Sequence, residues 1–434
     1  MLKELTHRTL TDGAVLDAIP SKSEAHRLLI CAALADKKTE IFCPQSSKDI
    51  DATIDCLSAL GANIARAGDT LTVTPIDRNC VKENAVLDCG ESGSTLRFFL
   101  TLACVLGADP TFVMHGRLAQ RPTGALTDEL TRHGVTVKSE PDKNLLVCHG
   151  TPSGGEYTLP GDVSSQFVSS LIFALPLLGS ESVIRLTGKT ESEGYIDMTL
   201  ESVRRFGINI EKKDSNTYIV HSGAYRSPEK IRVNGDWSNS AFWFCAAAIA
   251  KKKITVCGLD INSTQGDREI LGVLNRMGAE ISYEKEKDSE NLYSVSLSAS
   301  ENSLCATSID ASQIPDLIPI LSVVASVANG TTEIYNAARL RHKESDRISS
   351  VCRMLDSLGA SVTEFDDRIV INGKKCLWSG RVDSYNDHRI AMSAAIAALA
   401  CSDGDSKVII DGAEAVNKSY PHFFEDYDSV TKTY

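Results

Sequence analysis

The 434-residue sequence has few aromatic residues, no metal-binding cysteine pattern and no long apolar run. Aromatics make up 6% of the chain, and its thirteen cysteines are scattered, without a CxxC pair or a His/Cys cluster of zinc-finger spacing. This usage predicts reduced thiols rather than a disulfide framework. The most apolar stretch, residues 390–400, is too short to cross a bilayer about 30 Å thick. Residues 1–10 resemble neither a signal peptide nor a transit peptide, so we expect a soluble, cytoplasmic protein.

The sequence also lacks an excess of positive charge. Its formal net charge is −12, which argues against nucleic acid or an anionic membrane as the main partner. The charge does not exclude a small anionic substrate, because a local cluster of Arg and Lys can outweigh the global sign. The content of 42% hydrophobic and 24% charged residues is typical of a globular protein, and the length suggests two or three domains.

Two kinds of predicted helix alternate along the chain. The first kind is amphipathic, has an apolar residue four positions before a closing glycine, and is followed by a predicted β-hairpin. The glycines that close these helices are Gly61, Gly134, Gly207, Gly278 and Gly359. The second kind is apolar on every side and must therefore be buried in the centre of a domain. It occurs six times, each time before a short β-rich run, whereas the amphipathic helix and hairpin occur five times.

The missing half-unit has a candidate at the other end of the chain. Residues 1–19 read as two short strands around the turn signal Asp12-Gly13 and could complete the sixth unit. The pattern predicts an α/β protein with two domains, each of three βαβαββ-type units around buried helices, as an inside-out α/β barrel. Residues 20–233 form the first domain, and residues 1–19 plus 234–434 form the second. A solenoid is the alternative, but its repeats usually have about 20–50 residues, whereas these have about 70.

Polar and basic residues are concentrated where the buried helices begin. These helix starts are Ser21-Lys22-Ser23 with Arg27, residues 90–94 with Arg97, Ser164-Ser165-Gln166, residues 310–316 and residues 386–389. N-capping explains one Ser, Asp or Asn at each start, but not Lys22, Arg27 or Arg389. Helix N-termini bind anions, and Arg and Lys capture phosphate or carboxylate groups. The pattern therefore predicts a site for two small polyanions.

The densest charged motif is residues 340–347, LRHKESDR, just before an amphipathic helix. Lys343 and Arg347 are four positions apart and would share one face of the helix start. A solvated, charge-paired first turn is the alternative explanation. The presence of other basic helix starts favours a role in the site.

Nine motifs, in order from residue 21 to residue 421, resemble the EPSP synthase family of enolpyruvyl transferases. They are SKSEAHR, GESGSTLR, QRPTGAL, SSQ, YID, IPD, RHKESDR, YNDHR and VNKSYP. The resemblance implies two domains of three repeats with the active site in the cleft between them. The implied reaction transfers the enolpyruvyl group of phosphoenolpyruvate to the 5-hydroxyl of shikimate 3-phosphate, in the pathway to chorismate and aromatic amino acids. The unmodified GESGST segment around Gly93 suggests sensitivity to glyphosate, the inhibitor of this family.

The resemblance also implies the site residues. Phosphoenolpyruvate would contact Lys22, Gly93, Arg121, Gln166, Arg347, Arg389 and Lys418. Shikimate 3-phosphate would contact Lys22, Ser23, Arg27, Ser164, Ser165, Gln166, Asp316 and Lys343, with Ser192 and Tyr195 as additional contacts. Asp316 would take the proton from the 5-hydroxyl, Glu344 would protonate the methylene carbon, and Lys22 would assist proton movement. The implied protein is a monomer without cofactor or metal, whose partners are these two small molecules and neither nucleic acid nor membrane.

Two positions depart from the family pattern. His26 stands where the family commonly has Asn, and Trp237 stands in a segment where small residues are usual. Neither replaces a charged substrate contact, and we expect His26 to be a structural polar group. The units meet near Pro20 and Val233, which would be the hinge of a domain closure around the two anions.

Three other functions fit the sequence less well. UDP-N-acetylglucosamine enolpyruvyl transferase usually has Lys-Asn in place of Lys22-Ser23 and a reactive cysteine before the Arg121 motif, whereas residues 117–120 contain none. An RNA 3′-phosphate cyclase is disfavoured by the acidic charge and the lack of a P-loop motif. A catalytically inactive repeat scaffold is disfavoured by the intact charged motifs.

Overall fold

The computed structural model describes residues 1–6, 8–287, 289, 291–299, 304–402 and 407–433. The chain divides into two compact units. Residues Pro20–Val233 form one, here the central unit, and Met1–Ile19 with Asn234–Tyr434 form the other, here the terminal unit. The chain begins with three strands of the terminal unit, β1 (Leu2–Thr6), β2 (Arg8–Leu10) and β3 (Ala14–Asp17).

The central unit alternates helices with short strands. Its α-helices are α1 (Lys22–Ala33), α2 (Lys48–Ala59), α3 (Gly93–Val105), α4 (Gly124–Arg132), α5 (Ser165–Ala174) and α6 (Glu193–Arg205). Its strands are β4 (Thr39–Phe42), β5 (Asn63–Ala67), β6 (Thr70–Thr74), β7 (Val86–Asp88), β8 (Thr111–Val113), β9 (Thr136–Glu140), β10 (Leu145–His149), β11 (Glu156–Pro160), β12 (Ser182–Thr187), β13 (Ile210–Lys212), β14 (Thr217–Val220) and β15 (Lys230–Arg232). Short 3-10 helices lie at Leu118–Gln120, Pro141–Lys143 and Leu175–Leu178.

These strands form three sheets of the same design. The strand orders are β15-β4-β6-β5, β7-β8-β10-β9 and β11-β12-β14-β13. In each sheet the first strand pairs in parallel with the second, and an antiparallel hairpin completes the sheet. The first strand of the first sheet, β15, comes from the far end of the unit, so the unit closes on itself.

The terminal unit repeats the pattern. Its α-helices are α7 (Trp237–Ala250), α8 (Ile270–Arg276), α9 (Ile318–Val327), α10 (Arg347–Ser357), α11 (His388–Ala397) and α12 (Phe423–Val430). Its remaining strands are β16 (Ile254–Asp260), β17 (Ala279–Lys285), β18 (Leu292–Ala299), β19 (Ser308–Asp310), β20 (Thr331–Tyr335), β21 (Ser361–Glu364), β22 (Ile369–Asn372), β23 (Gly380–Asp383), β24 (Lys407–Asp411) and β25 (Thr431–Thr433). Its 3-10 helices lie at Gly266–Glu269, Ala338–His342, Ala398–Ala400 and Ala413–Lys418.

The N-terminal strands join three different sheets of the terminal unit. Strand β1 pairs antiparallel with β24 in the sheet β1-β24-β23, which supplies the predicted missing strand of the sixth repeat. Strand β3 instead pairs in parallel with β16 in the sheet β17-β18-β16-β3 and opens the fourth repeat, and β2 pairs with β25. The prediction that these residues serve the sixth repeat is therefore right for β1 only, because the turn at Gly13 (φ 72°) sends β2 and β3 to different partners.

Burial explains the two kinds of helix. In α1, residues 24–33 are all buried, and in α7, residues 237–248 are all buried, as expected for helices that are apolar on every side. The amphipathic helices bury one face only, and the five predicted hairpins follow them. The five glycines that end these helices all have positive φ, from 74° to 108°, as C-terminal capping requires. Each unit has its own apolar core.

In the part of the chain that the structure describes, no helix is long and apolar enough to cross a membrane. All thirteen cysteines lie in that part, and all are free thiols.

Candidate active site

In the central unit, the start of α1 places Lys22 against α2. Ser21 caps α1 by accepting a hydrogen bond from the backbone of Glu24. Lys22 Nζ lies 2.8 Å from Asp49 Oδ2, and the two side chains are 14% and 12% exposed. The ammonium group is therefore held by one carboxylate at the edge of the unit, where it can also meet an anion.

Arg27, one turn further along α1, is 2% exposed and bound mainly by neighbouring helices. Its guanidinium donates to Thr199 Oγ1 at 2.8 Å, to the Tyr195 carbonyl at 2.9 Å and to the Ser23 carbonyl at 2.7 Å. These bonds use three of the five guanidinium N–H groups. Arg27 thereby joins α1 to α6 and brings the predicted residues Ser23 and Tyr195 to one place.

The starts of α3 and α5 come together around two arginines, Arg97 and Arg121. A Cβ atom on Gly93 would lie 2.5 Å from Nη1 of Arg121, so the arginine lies directly on the glycine backbone. Gln166 accepts a bond from Arg97 Nη1 at 2.7 Å and donates to Ser94 Oγ at 2.9 Å. Arg97 also donates to the carbonyl of Pro122 at 3.0 Å, which fixes the loop that carries Arg121.

Serines lie at the starts of α5 and α6. Ser164 caps α5, and Ser165 is buried beside it. Ser192 precedes α6 in the left-handed conformation (φ 54°), and its hydroxyl is buried with no hydrogen-bond partner among the described residues. A strained backbone and an unsatisfied buried hydroxyl often mark a ligand contact.

In the terminal unit, Arg347 at the start of α10 is the centre of a buried ionic cluster. The side chain is 1% exposed and contacts three carboxylates. Its nitrogens lie 2.6 Å from Asp316 Oδ1, 2.7 Å from Glu344 Oε2 and 2.8 Å from Asp387 Oδ2. Burial opposes the charge, but the three carboxylates outweigh it and raise the pKa of Arg347 well above its usual value.

Two more cations lie near Asp316. Lys343 Nζ is 3.5 Å from Oδ1, and Arg389 Nη2 is 3.5 Å from Oδ2. Burial alone would raise the pKa of the Asp316 carboxyl, but the charges of Arg389, Lys343 and Arg347 hold it well below its usual value.

The same burial acts on the neighbouring charges. It lowers the pKa of Lys343 to about 8, even though Asp316 acts in the opposite direction. Asp267, in the 3-10 helix Gly266–Glu269, is 1% exposed and hydrogen-bonded to Ser238. Burial, followed by repulsion from Asp316, raises the pKa of Asp267 to about 6. Lys418 is 7% exposed and donates to the carbonyl of Asn386 at 2.6 Å.

The structure thus forms one cluster of predicted residues in the terminal unit and two in the central unit. The motifs around Asp316, Lys343, Glu344, Arg347 and Arg389 meet in the first, with Lys418 bound to the loop before α11. The two clusters of the central unit lie around Arg27 and around the start of α3.

The substrate contacts implied by the resemblance omit three charged residues that bind them in the structure. Asp387 caps α11, is fully buried and binds Arg347. Asp49 binds Lys22, and Arg97 binds Gln166. The motif NDHR and the GESGSTLR motif contain Asp387 and Arg97, so both could have been proposed. Asp49 stands in an ordinary helix start and carried no such signal.

Among the described residues, no group of His, Cys, Asp and Glu is arranged to hold a metal ion.

Solved structures of similar architecture define the fold. The EPSP synthase from Acinetobacter baumannii matches with a TM-score of 0.80, covering 100% of this chain and 99% of that one at 22% identity. The enolpyruvyl transferase NikO from Streptomyces tendae matches with a TM-score of 0.78, covering 100% and 99% at 17% identity. At such identities the likeness shows the fold alone, and the fold is that of the enolpyruvyl transferases.

Sequence relatives narrow the class. The profile of the EPSP synthase (3-phosphoshikimate 1-carboxyvinyltransferase) family matches residues 8–427. A 3-phosphoshikimate 1-carboxyvinyltransferase from Clostridium kluyveri is 41% identical over 411 residues, 95% of this chain and 93% of that protein. One from Clostridium acetobutylicum is 42% identical over 410 residues, 94% of this chain and 92% of that protein.

The chain belongs to the EPSP synthase family. It is an enzyme of the shikimate pathway that transfers the enolpyruvyl group of phosphoenolpyruvate to shikimate 3-phosphate. The relatives support this activity and not that of the UDP-N-acetylglucosamine enolpyruvyl transferase.

Proposed function

We propose that Asp316 and Glu344 carry out the proton transfers of this reaction, held in place by Arg347. The observation that supports these roles is the single buried guanidinium that bonds both carboxylates, at 2.6 and 2.7 Å. Asp316 takes the proton of the 5-hydroxyl, and the resulting oxygen attacks the carbon that bears the phosphate. Glu344 delivers a proton to the methylene carbon, which gives a tetrahedral intermediate with a new methyl group. The intermediate then loses phosphate, and the Glu344 carboxylate takes one proton back from that methyl group, which restores the carbon–carbon double bond.

The low pKa of Asp316 makes it a weak base in the free protein, so substrate binding has to strengthen it. Lys343 and Arg389 both lie 3.5 Å from this carboxylate. When anionic substrate groups share these two cations, their hold on Asp316 weakens and its basicity rises. The proposal therefore links proton abstraction to the presence of both anions.

We propose that the central unit supplies most of the contacts to the substrate anions. Lys22, Ser23, Arg27, Ser164, Ser165, Gln166, Ser192 and Tyr195 contact shikimate 3-phosphate, together with Asp316 and Lys343. Lys22, Gly93, Arg121, Gln166, Arg347, Arg389 and Lys418 contact phosphoenolpyruvate. Two features support the assignment: the first two turns of α1 and α3 carry Lys22, Arg27 and Arg97, and the hydroxyl of Ser192 is buried without a partner among the described residues.

Substitution of the two carboxylates tests the catalytic roles. We expect Asp316→Ala and Glu344→Ala each to lower kcat at least about a hundredfold, because a positioned acid or base contributes about 10²–10⁴-fold. Circular dichroism should show folded protein in both cases. Unchanged turnover in either folded variant would remove that residue from the mechanism.

Phosphate release from phosphoenolpyruvate tests the acceptor. Shikimate 3-phosphate and UDP-N-acetylglucosamine are offered in parallel to the same preparation. We expect release that depends on shikimate 3-phosphate alone. Phosphate release that depends on the nucleotide sugar would overturn the assignment. If folded protein released no phosphate with either acceptor, the motifs would persist without the activity.

We further propose that the two units are the folding domains of a cytoplasmic monomer. The thirteen free thiols support a reducing compartment, and each unit has its own apolar core. Light scattering coupled to size-exclusion chromatography tests the monomer, with a mass of 46.9 kDa expected.

A further inference from the structure

Helices α1 and α2 are joined by two contacts, one turn apart. Lys22 Nζ on α1 lies 2.8 Å from Asp49 Oδ2 on α2. Four residues further along each helix, His26 Nδ1 lies 2.7 Å from Thr53 Oγ1. The first contact reaches the proposed substrate site, whereas the second is buried beneath it.

A chain of hydroxyl groups continues from the second contact to α3. Thr53 Oγ1 lies 2.8 Å from Thr95 Oγ1, and Thr95 donates to Ser92 Oγ at 2.8 Å. Ser92 caps α3 and directly precedes Gly93, on which Arg121 lies. The four side chains of this polar chain are at most 1% exposed: His26, Thr53, Thr95 and Ser92.

Counting protons gives the direction of these bonds. The hydroxyl of Thr95 has one proton and donates it to Ser92, so Thr95 accepts from Thr53. Thr53 then has no proton left for the imidazole. His26 must therefore carry its proton on Nδ1 and donate it to Thr53.

The reverse direction of the hydrogen bonds would leave a buried N–H group of His26 without an acceptor. It would place the imidazole proton on Nε2, which is buried and has no partner among the described residues. A buried N–H without an acceptor costs its full desolvation penalty and is rare in folded proteins. Burial, followed by the charges of Lys22 and Arg27, lowers the pKa of His26 well below its usual value, so the ring is neutral.

We propose that His26 is a positioning residue for phosphoenolpyruvate. Its Nδ1–H is the first donor in the row of hydrogen bonds that runs to Ser92, and this row fixes the start of α3, with Gly93 and Arg121, relative to Lys22. The inference depends on the proposed roles of Lys22, Gly93 and Arg121. An Asn at this position could replace the donor, because Asn Nδ2 is as many bonds from the backbone as His Nδ1 and can donate to the same hydroxyl.

Three variants separate positioning from simple packing. His26→Leu keeps a buried side chain but removes the donor, and Thr53→Val removes the hydroxyl at nearly constant shape. We expect each to raise the KM for phosphoenolpyruvate about fivefold or more, with kcat changed by less than about twofold. His26→Asn should keep the KM near its original value while lowering stability, because the donor remains but the ring volume beside Phe98 is lost.

Thr101→Val is the matched control. Thr101 is also on α3, is fully buried and accepts a bond from Ser170 Oγ at 2.8 Å, but has no connection to the start of the helix. We expect it to lower stability without raising the KM. The double variant His26→Leu/Thr53→Val should be no worse in KM than Thr53→Val, since that single variant already removes the bond to His26 as well as the bond to Thr95.

Nitrogen NMR of labelled histidine reports the tautomer directly. We expect a neutral ring protonated at Nδ1. A ring protonated at Nε2, or an unchanged KM in both His26→Leu and Thr53→Val, would overturn the inference. Lys22→Ala distinguishes this failure from failure of the proposed site: if it also leaves the KM unchanged, the site itself is misassigned.

Discussion

At the scale of single residues, the charged side chains around the candidate site are in direct contact with one another or with the backbone. Gly93 has no side chain, and the guanidinium of Arg121 occupies the place where a Cβ would be. Arg347 is shared by three carboxylates, and Asp316 by three cations. In Asp316 and Arg347 the neighbouring charges together outweigh the effect of burial on the pKa, whereas in Lys343 burial outweighs them.

Replacement of Gly93 tests the close approach of Arg121. We expect Gly93→Ala to displace the guanidinium, because the new Cβ would lie 2.5 Å from Nη1. Loss of one charge-assisted bond should raise the KM for phosphoenolpyruvate about tenfold or more. Gly124→Ala is the control, since a Cβ there would meet nothing within 4 Å. Equal KM values in the two variants would contradict the assignment of Arg121.

The pH dependence of binding tests Lys343. Its pKa is lowered to about 8, so the ammonium charge is present below that pH and lost above it. We expect kcat/KM for shikimate 3-phosphate to fall as the pH rises from 7 to 9, by up to about tenfold per pH unit. Lys343→Arg stays charged over this range, so the alkaline fall should disappear. The same fall in Lys343→Arg would show that another group titrates.

At the scale of elements, the residues proposed for the site are concentrated at the N-termini of the helices. Side-chain caps hold α1, α3, α5, α7, α10 and α11, and basic side chains stand beside several of them. A helix start offers unpaired N–H groups, so an added arginine or lysine makes it an anion site. In α11 the capping Asp387 also neutralises Arg347, which ties the end of one helix to the charge balance of the site.

Two aspartate caps that differ in burial test this double role. Asp387 is fully buried against Arg347, whereas Asp346 caps α10 and pairs with Arg341 at a partly exposed position. We expect Asp387→Ala to lower the free energy of unfolding by about 3–5 kcal/mol, because it breaks a buried ion pair. Asp346→Ala should cost only about 1 kcal/mol, the value of a cap. Similar losses in urea denaturation would contradict the buried role of Asp387.

At the scale of the whole molecule, one chain builds two units with separate cores. The N-terminal strands bury Leu5 and Leu10 in the core of the terminal unit. The rest of that core comes from the segment that begins at Asn234, more than 200 residues later in the sequence. The central unit is a continuous segment, closed by β15 on β4. The terminal unit therefore depends on both ends of the chain.

Calorimetry tests whether the units unfold as separate domains. We expect two transitions, with Leu10→Ala lowering only that of the terminal unit, since a buried Leu→Ala change costs about 2–5 kcal/mol. Leu57→Ala, at a fully buried position of α2, should lower only the other transition. Movement of both transitions by either variant would show that the units unfold together.

Much of the fold follows from local sequence patterns. Apolar spacing and closing glycines located the amphipathic helices, because each such helix buries one face and its glycine takes a positive φ. The turn at Asp12-Gly13 was also predictable, but the partners of β2 and β3 were not. Strand pairing joins residues far apart in the sequence, so alternation and turn residues do not specify which edge a short strand meets.

For the site, the family, the reaction and the residue types at the helix starts could all be read from the motifs, because each motif is a local run of residues. How these residues are coupled follows only from the three-dimensional arrangement. It brought Asp387 and Asp316 onto Arg347, placed Asp49 beside Lys22, and connected His26 to the cap of α3. The physical reason is that charge balance, burial and proton direction depend on distances between separate helices, and no local pattern contains those distances.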